Sequence, residues 1–139
     1  MVTYDLFFDG SAKHGTGYFG YVLFKDKVQV DSGYGMIGQD IKPRVAEKYA
    51  LSYGLDGFVR KRLEPGPLRI FGDCKQVIET AEKDSDLAPK IKALRDSGVS
   101  IVFKWISRNS NTLANDLARK MIDTARMANT LPEKLKGNK

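Results

Sequence analysis

The chain predicts an α/β fold: a five-stranded mixed sheet, part antiparallel meander and part parallel, with helices on both faces. Three observations predict it. The first third holds three alternating apolar stretches separated by short polar breaks, the pattern of strands folded back on one another. The remainder alternates short apolar strands with stretches at helical spacing, and strand–helix–strand crossovers require parallel neighbours in a sheet. Acidic residues stand where strands end, and in such sheets the ligand crevice lies beyond the C-terminal ends of the parallel strands.

Residues 2–9 alternate, with Val2, Tyr4, Leu6 and Phe8 on one face and Asp9 closing the strand. A loop of small residues, Gly10 to Gly17, leads to a second strand at 18–24. The turn Lys25-Asp26 sends the chain into a third at 27–34, ended by Gly33, Gly35 and Gly38. Pro43 suits the first turn of a helix, where it forfeits no donor. That helix is expected to run to Leu63, with Val45, Ala46, Tyr49, Ala50 and Tyr53 at helical spacing, and Pro65-Gly66-Pro67 stops it. A strand at 68–71 precedes Gly72-Asp73 and a short helix to Glu82. A second helical piece spans Leu87 to Arg95 and ends at Ser97-Gly98. Next come a strand at 100–106, a polar loop at 107–110 and a last helix from Asn111 to Ala128. Its expected apolar stripe is Leu113, Leu117, Met121 and Ile122. The domain expected is 1–128, followed by a basic, flexible tail at 129–139.

A length of 139 residues suits one domain that buries roughly two-thirds of its unfolded surface. Charged residues at 29% and hydrophobic residues at 42% are ordinary for a soluble protein. No apolar run approaches the ~20 residues that span a bilayer, and the first residues lack the basic and apolar regions of a signal peptide. The single cysteine, Cys74, makes no internal disulfide. The expectation is a cytoplasmic monomer with no membrane association and no obligate protein partner. A formal net charge of +6 favours an anionic partner. Arg60-Lys61-Arg62 either complements a helix C-terminus or contacts nucleic acid.

Asp9, Glu47 and Asp73 each have a local explanation: a loop residue before a turn, a complement to the helix dipole, a helix cap. Together they suggest something else. Carboxylates from separate elements are costly to assemble unless a cation neutralises them, so their convergence points to metal-dependent phosphoryl transfer. The run 111–118, Asn-Thr-Leu-Ala-Asn-Asp-Leu-Ala, offers Asn115 or Asp116 as a fourth member.

Four motifs then fall in a familiar order. They are Asp9-Gly10-Ser11 with the glycine-rich stretch His14–Gly20, Ala46-Glu47-Lys48-Tyr49-Ala50-Leu51, Asp73-Cys74-Lys75-Gln76-Val77-Ile78, and Arg108-x-x-Asn111-x-x-Ala114-Asn115-x-Leu117-Ala118. Over residues 3–126 the chain resembles the type 1 ribonucleases H. The resemblance implies an endonuclease that hydrolyses the RNA strand of RNA/DNA hybrids, leaving a 3′-hydroxyl and a 5′-phosphate. It implies two Mg²⁺ ions, ~3.5–4 Å apart, one activating water and the other stabilising the leaving oxygen. Asp9 would bridge both ions, with Glu47 and Asp73 completing the shell. Oxygen donors suit Mg²⁺, with Mn²⁺ as substitute, and one Cys with one His builds no usual zinc site.

The chain departs from the family pattern in four places. Ungapped register puts Asn115 where the family has aspartate; moving Asp116 there would turn the side chain by ~100° around the helix. The site is therefore read as Asp9, Glu47, Asp73 and Asn115, the last an uncharged oxygen donor. The family's paired asparagines before Ala-Glu, which touch the minor groove where 2′-hydroxyls are displayed, are replaced by Pro43-Arg44-Val45. The single histidine, His14, lies in the first hairpin, and Arg108 marks the loop where many relatives carry one. Residues 81–87 leave no room for an extra basic helix. Substrate contacts are expected at Gly10, Ser11, Lys13, Arg44, Lys75 and Arg108, with the 60–62 cluster assisting, giving salt-sensitive binding of little sequence preference. Two other readings stand beside this one: a non-catalytic or weakly active module for hybrid or double-stranded RNA, and a nuclease of the same fold acting on DNA.

Overall fold

The structure, a computed structural model, describes residues 2–120; the predicted tail and the end of the last helix lie outside them. Strands β1 (Tyr4–Lys13), β2 (Thr16–Lys25) and β3 (Val28–Gly38) precede helix α1 (Pro43–Lys61). Then come β4 (Leu68–Gly72), α2 (Lys75–Thr80) with a 3₁₀ turn at Ala81–Lys83, α3 (Ala88–Asp96) and β5 (Ile101–Trp105). A 3₁₀ turn at Arg108–Ser110 leads into α4, helical over residues 112–120. The sheet order is β3-β2-β1-β4-β5, with β1 antiparallel to β2 and parallel to β4. The predicted mixed sheet is therefore the one observed.

β1 runs further than its alternation predicts. Gly10 to Lys13 stay in the antiparallel ladder as far as Lys13 opposite Thr16, and only His14 and Gly15, at φ 52° and 82°, make the turn. The loop expected at 10–17 is thus a two-residue hairpin. Small residues read as a loop in isolation, but here their backbone groups pair with β2. The next turn is Asp26-Lys27, both at positive φ, one residue later than expected. On its other side β1 pairs with β4 only from Tyr4 to Phe8, opposite Leu68 to Gly72. Asp9 is the first β1 residue beyond β4, so it stands at a strand end on one flank and inside a ladder on the other.

One face of the sheet carries the core. Tyr4, Leu6 and Phe8 pack with Leu51, Leu55 and Phe58 of α1, with Val77 of α2 and with Ile91 and Leu94 of α3. Tyr4 meets Phe58 edge to face at 5.0 Å between centroids. On the opposite face Phe7 stacks on Phe71 at 4.7 Å, and α4 crosses β2. The expected α4 stripe needs correction. Leu113 is half exposed, whereas Ala114 and Ala118 are fully buried. A methyl group on Gly20 would lie 2.5 Å from the Ala118 nitrogen and 2.7 Å from the Ala114 oxygen. The helix sits so close to the β2 backbone that Gly20 has no room for a side chain, and Leu117 of the expected stripe keeps its place there, its Cβ 2.8 Å from such a methyl. Met121 and Ile122 lie outside the described residues.

Candidate active site

Two glycines bring the acids together. Gly10 follows Asp9 and faces α1: a methyl there would lie 2.2 Å from the Ala46 carbonyl carbon and 2.3 Å from the Glu47 nitrogen. Its missing side chain lets α1 touch β1, which brings Glu47 beside Asp9. Gly20 pairs directly with Asp9 across the ladder and admits α4 on the other face. Asp73 follows β4, the parallel neighbour of β1. One carboxylate oxygen from each of Asp9, Glu47 and Asp73 lies within 4.8 Å of the others.

The local explanations of these acids fail. Glu47 is outside the first turn of α1, and α2 begins after Cys74 with no side-chain cap from Asp73. Instead Asp9 and Glu47 are buried, at 6% and 7% exposure, side by side. Burial pushes Asp9 up to about 6, and the charge of Asp73 adds to the rise while Glu47 hydrogen bonding and the Arg108 charge oppose it. Burial, then Asp9, drives Glu47 well above the usual carboxylate range. Without a cation Glu47 therefore retains its proton at neutral pH, beside an Asp9 that ionises late. Glu47 Oε2 is buried without a hydrogen-bond partner among the described residues. Clustered hard oxygens with an orphaned lone pair are the donor set a Mg²⁺ or Mn²⁺ ion takes.

The family follows from this arrangement and from sequence. The Reverse transcriptase-like family model matches residues 7–121. The chain belongs to this ribonuclease H-like family. The N-terminal RNase H domain of a Mycobacterium tuberculosis protein is similar at 25% identity, with a TM-score of 0.76, covering 94% of this chain and all of that one. RNase H1 of Halobacterium salinarum is 23% identical with a TM-score of 0.72, covering 88% and 98% of the two chains. LC11-RNase H1, isolated from compost by a metagenomic approach, has been solved with an RNA/DNA hybrid. It is 21% identical with a TM-score of 0.71, covering 90% of this chain and 99% of its own. Among curated proteins none matches the sequence. The type 1 ribonuclease H resemblance thus holds for the family and for the fold.

The residue expected at the fourth position has a defined orientation. Asn115 is buried, at 9% exposure, and Asp116 is exposed. Asn115 Nδ2 donates to the Arg108 carbonyl at 3.0 Å, an acceptor only, so the nitrogen end of the amide is assigned by its partner. Oδ1 is left buried without a hydrogen-bond partner among the described residues.

The sequence motifs included Asn111 without giving it a role. The structure places it against the cluster, with Nδ2 donating to Asp73 Oδ2 at 3.1 Å and to the Phe8 carbonyl at 2.9 Å. Trp105 is half exposed at the end of β5, and its indole N–H donates to the Asp73 carbonyl at 3.0 Å. No sequence pattern announces either contact, since each joins residues more than thirty positions apart.

The cations separate into two groups. Arg108 is exposed and close enough for its charge to act on Asp9. Arg44 and Lys75 are exposed at the starts of α1 and α2, three residues before Glu47 and two after Asp73. Ser11 is partly buried within β1, and Lys13 is exposed at its hairpin end, about 13 Å of strand beyond Asp9. The 60–62 cluster lies at the other end of α1, about 20 Å from Glu47 along the axis. Arg60 donates to Tyr21 Oη at 3.1 Å and approaches Asp31 at 4.0 Å, and Arg62 lies over the Phe58 ring. Helix geometry sets the cluster apart from the acids, and both of its arginines have partners in the fold.

Proposed function

We propose that this chain hydrolyses the RNA strand of RNA/DNA hybrids, using divalent cations held by Asp9, Glu47, Asp73 and the amide oxygen of Asn115. One observation carries the reading: three carboxylates from three elements, two of them buried, stand within 4.8 Å and repel one another. A protein that only bound phosphate would gain nothing from such a cluster. The complex of LC11-RNase H1 with a hybrid supports the substrate class.

The chemistry supplied by two bound Mg²⁺ or Mn²⁺ ions is Lewis-acid stabilisation of an in-line displacement that leaves a 3′-hydroxyl and a 5′-phosphate. The chain's own residues prepare that site. Asp9, beside Glu47 and near Asp73, would hold the ions together with them. Glu47 offers Oε2, and Asn115 offers an oxygen whose direction the Arg108 carbonyl sets. The Arg108 guanidinium, with Arg44 and Lys75, supplies positive charge for the phosphates flanking the cleaved bond. Gly10 lets α1 approach, and Ser11 and Lys13 extend the same strand toward the hairpin.

Labelled RNA/DNA hybrid, double-stranded RNA and DNA duplex, incubated with Mg²⁺ or Mn²⁺ beside Asp9→Asn, test the reading. Cleavage of the hybrid alone, lost in the variant, is expected. No hybrid cleavage with either ion overturns it.

A further inference from the structure

Asn111 stands at the N-cap of α4, immediately before residue 112, and its backbone oxygen accepts the Asn115 N–H at 3.0 Å. An asparagine there ordinarily turns its side-chain oxygen onto the free N–H groups of the first turn, which stabilises a helix by about 1 kcal/mol. Asn111 does not. Its side-chain oxygen is buried without a hydrogen-bond partner among the described residues, and the residue is 1% exposed. The amide is turned the other way, with Nδ2 shared between the Asp73 carboxylate and the Phe8 carbonyl. Both partners accept only, so this orientation is the one their chemistry requires.

A cap that forgoes its own helix and leaves a buried acceptor unpaired needs a compensating role. The residues it joins indicate one. Phe8 immediately precedes Asp9 and is the last β1 residue paired with β4, opposite Gly72, which immediately precedes Asp73. Beyond that rung the ladder holds neither acid, and Asp73 is the least buried of the three. Asn111 replaces the missing rung by tying the Asp73 carboxylate to the β1 backbone. The Trp105 N–H on the Asp73 carbonyl fixes the main chain but leaves the carboxylate free to rotate.

We propose that Asn111 is a positioning residue that holds the Asp73 carboxylate in its ligating orientation. The inference rests on the divalent-cation reading of the site. It predicts that loss of the amide weakens cation binding through Asp73, beyond any loss of stability.

The test is calorimetric titration with Mn²⁺ alone, alongside melting temperatures in EDTA. Wild-type protein that binds no Mn²⁺ would overturn the cation reading, and the inference with it. With wild-type binding in hand, Asn111→Ala is expected to raise the Mn²⁺ Kd by about 10–100-fold, the usual cost of removing a partner that orients a ligand. In an Asp73→Asn background the same step is expected to change Kd less than about twofold, because the carboxylate it positions is gone. A lowered melting temperature with unchanged Kd overturns the inference, as does an equal loss of affinity in both backgrounds. Should Asn111→Ala not fold, Asn111→Ser keeps a single short donor that cannot reach both acceptors. It is expected to raise Kd in the same direction, and an unchanged Kd overturns the inference.

Discussion

Asn115 donates its side-chain N–H to the Arg108 carbonyl at 3.0 Å, and that contact makes the amide oxygen, not the nitrogen, its free end. Aspartate in its place would set a carboxylate oxygen against a carbonyl oxygen. Asn115→Asp is therefore expected to lower stability in EDTA by about 1–3 kcal/mol, the cost of an unpaired buried polar group. The added charge is expected to lower the concentration of Mg²⁺ that gives half-maximal hybrid cleavage. Thermal melts with and without Mn²⁺, beside a metal titration of activity, check both. An unchanged metal requirement counts against a direct role for Asn115.

Asp9 links stability to pH. Its folded value, about 6, lies above the ordinary 3.8, so the folded state holds the proton more tightly than the unfolded chain. The ionisation penalty is absent below pH 3.8, grows as pH rises toward 6 and is complete above it. Two units correspond to about 3 kcal/mol as an upper figure. Asp9→Asn, which cannot ionise, should thus melt several degrees higher than wild type in EDTA at pH 7 and close to wild type near pH 4. Mn²⁺ should stabilise wild type at pH 7 and lose that effect as pH falls through 6, when protons compete for the ligands. Equal melting temperatures of the two proteins in EDTA at pH 7 would contradict this penalty, which comes from burial first and from the charge of Asp73 after it.

The close approach of α1 is tested by Gly10→Ala. The added methyl meets main-chain atoms of Ala46 and Glu47, which cannot swing aside as a side chain would. A loss of about 1–3 kcal/mol is expected, with hybrid cleavage falling at least tenfold as Glu47 is displaced. Gly20→Ala should do the same through Ala114 and Ala118 of α4. Wild-type activity in a folded Gly10→Ala protein would show that Glu47 does not depend on this contact.

Substrate binding should divide the cations. Arg44→Ala and Lys75→Ala are each expected to raise KM for the hybrid and to reduce the slope of log affinity against log salt by about one. Lys61→Ala, at the far end of α1, is expected to leave both unchanged. Equal effects from Lys61 and Arg44 would return the distal cluster to the binding surface, and affinity that survives high salt would remove phosphate contacts altogether.

By itself the sequence determined the element order, the mixed sheet and the three acids, because each is written in a short stretch: alternation in β1, helical spacing after Pro43, a break after Phe71. It also determined that Asn115 and Asp116 face different ways, since helical periodicity separates neighbours by about 100°. Only the tertiary structure decided that Asp9 stands past the end of β4 yet within the β1–β2 ladder, because strand pairing lies in partners distant in the chain. It alone turned the α4 contact face from Leu113 to Ala114 and Ala118, beside Leu117, where Gly20 has no room for a side chain of its own. It alone set Arg60 against Tyr21 and brought Asn111 onto Asp73. These outcomes depend on close approaches and hydrogen bonds between segments remote in the chain, which local periodicity does not encode.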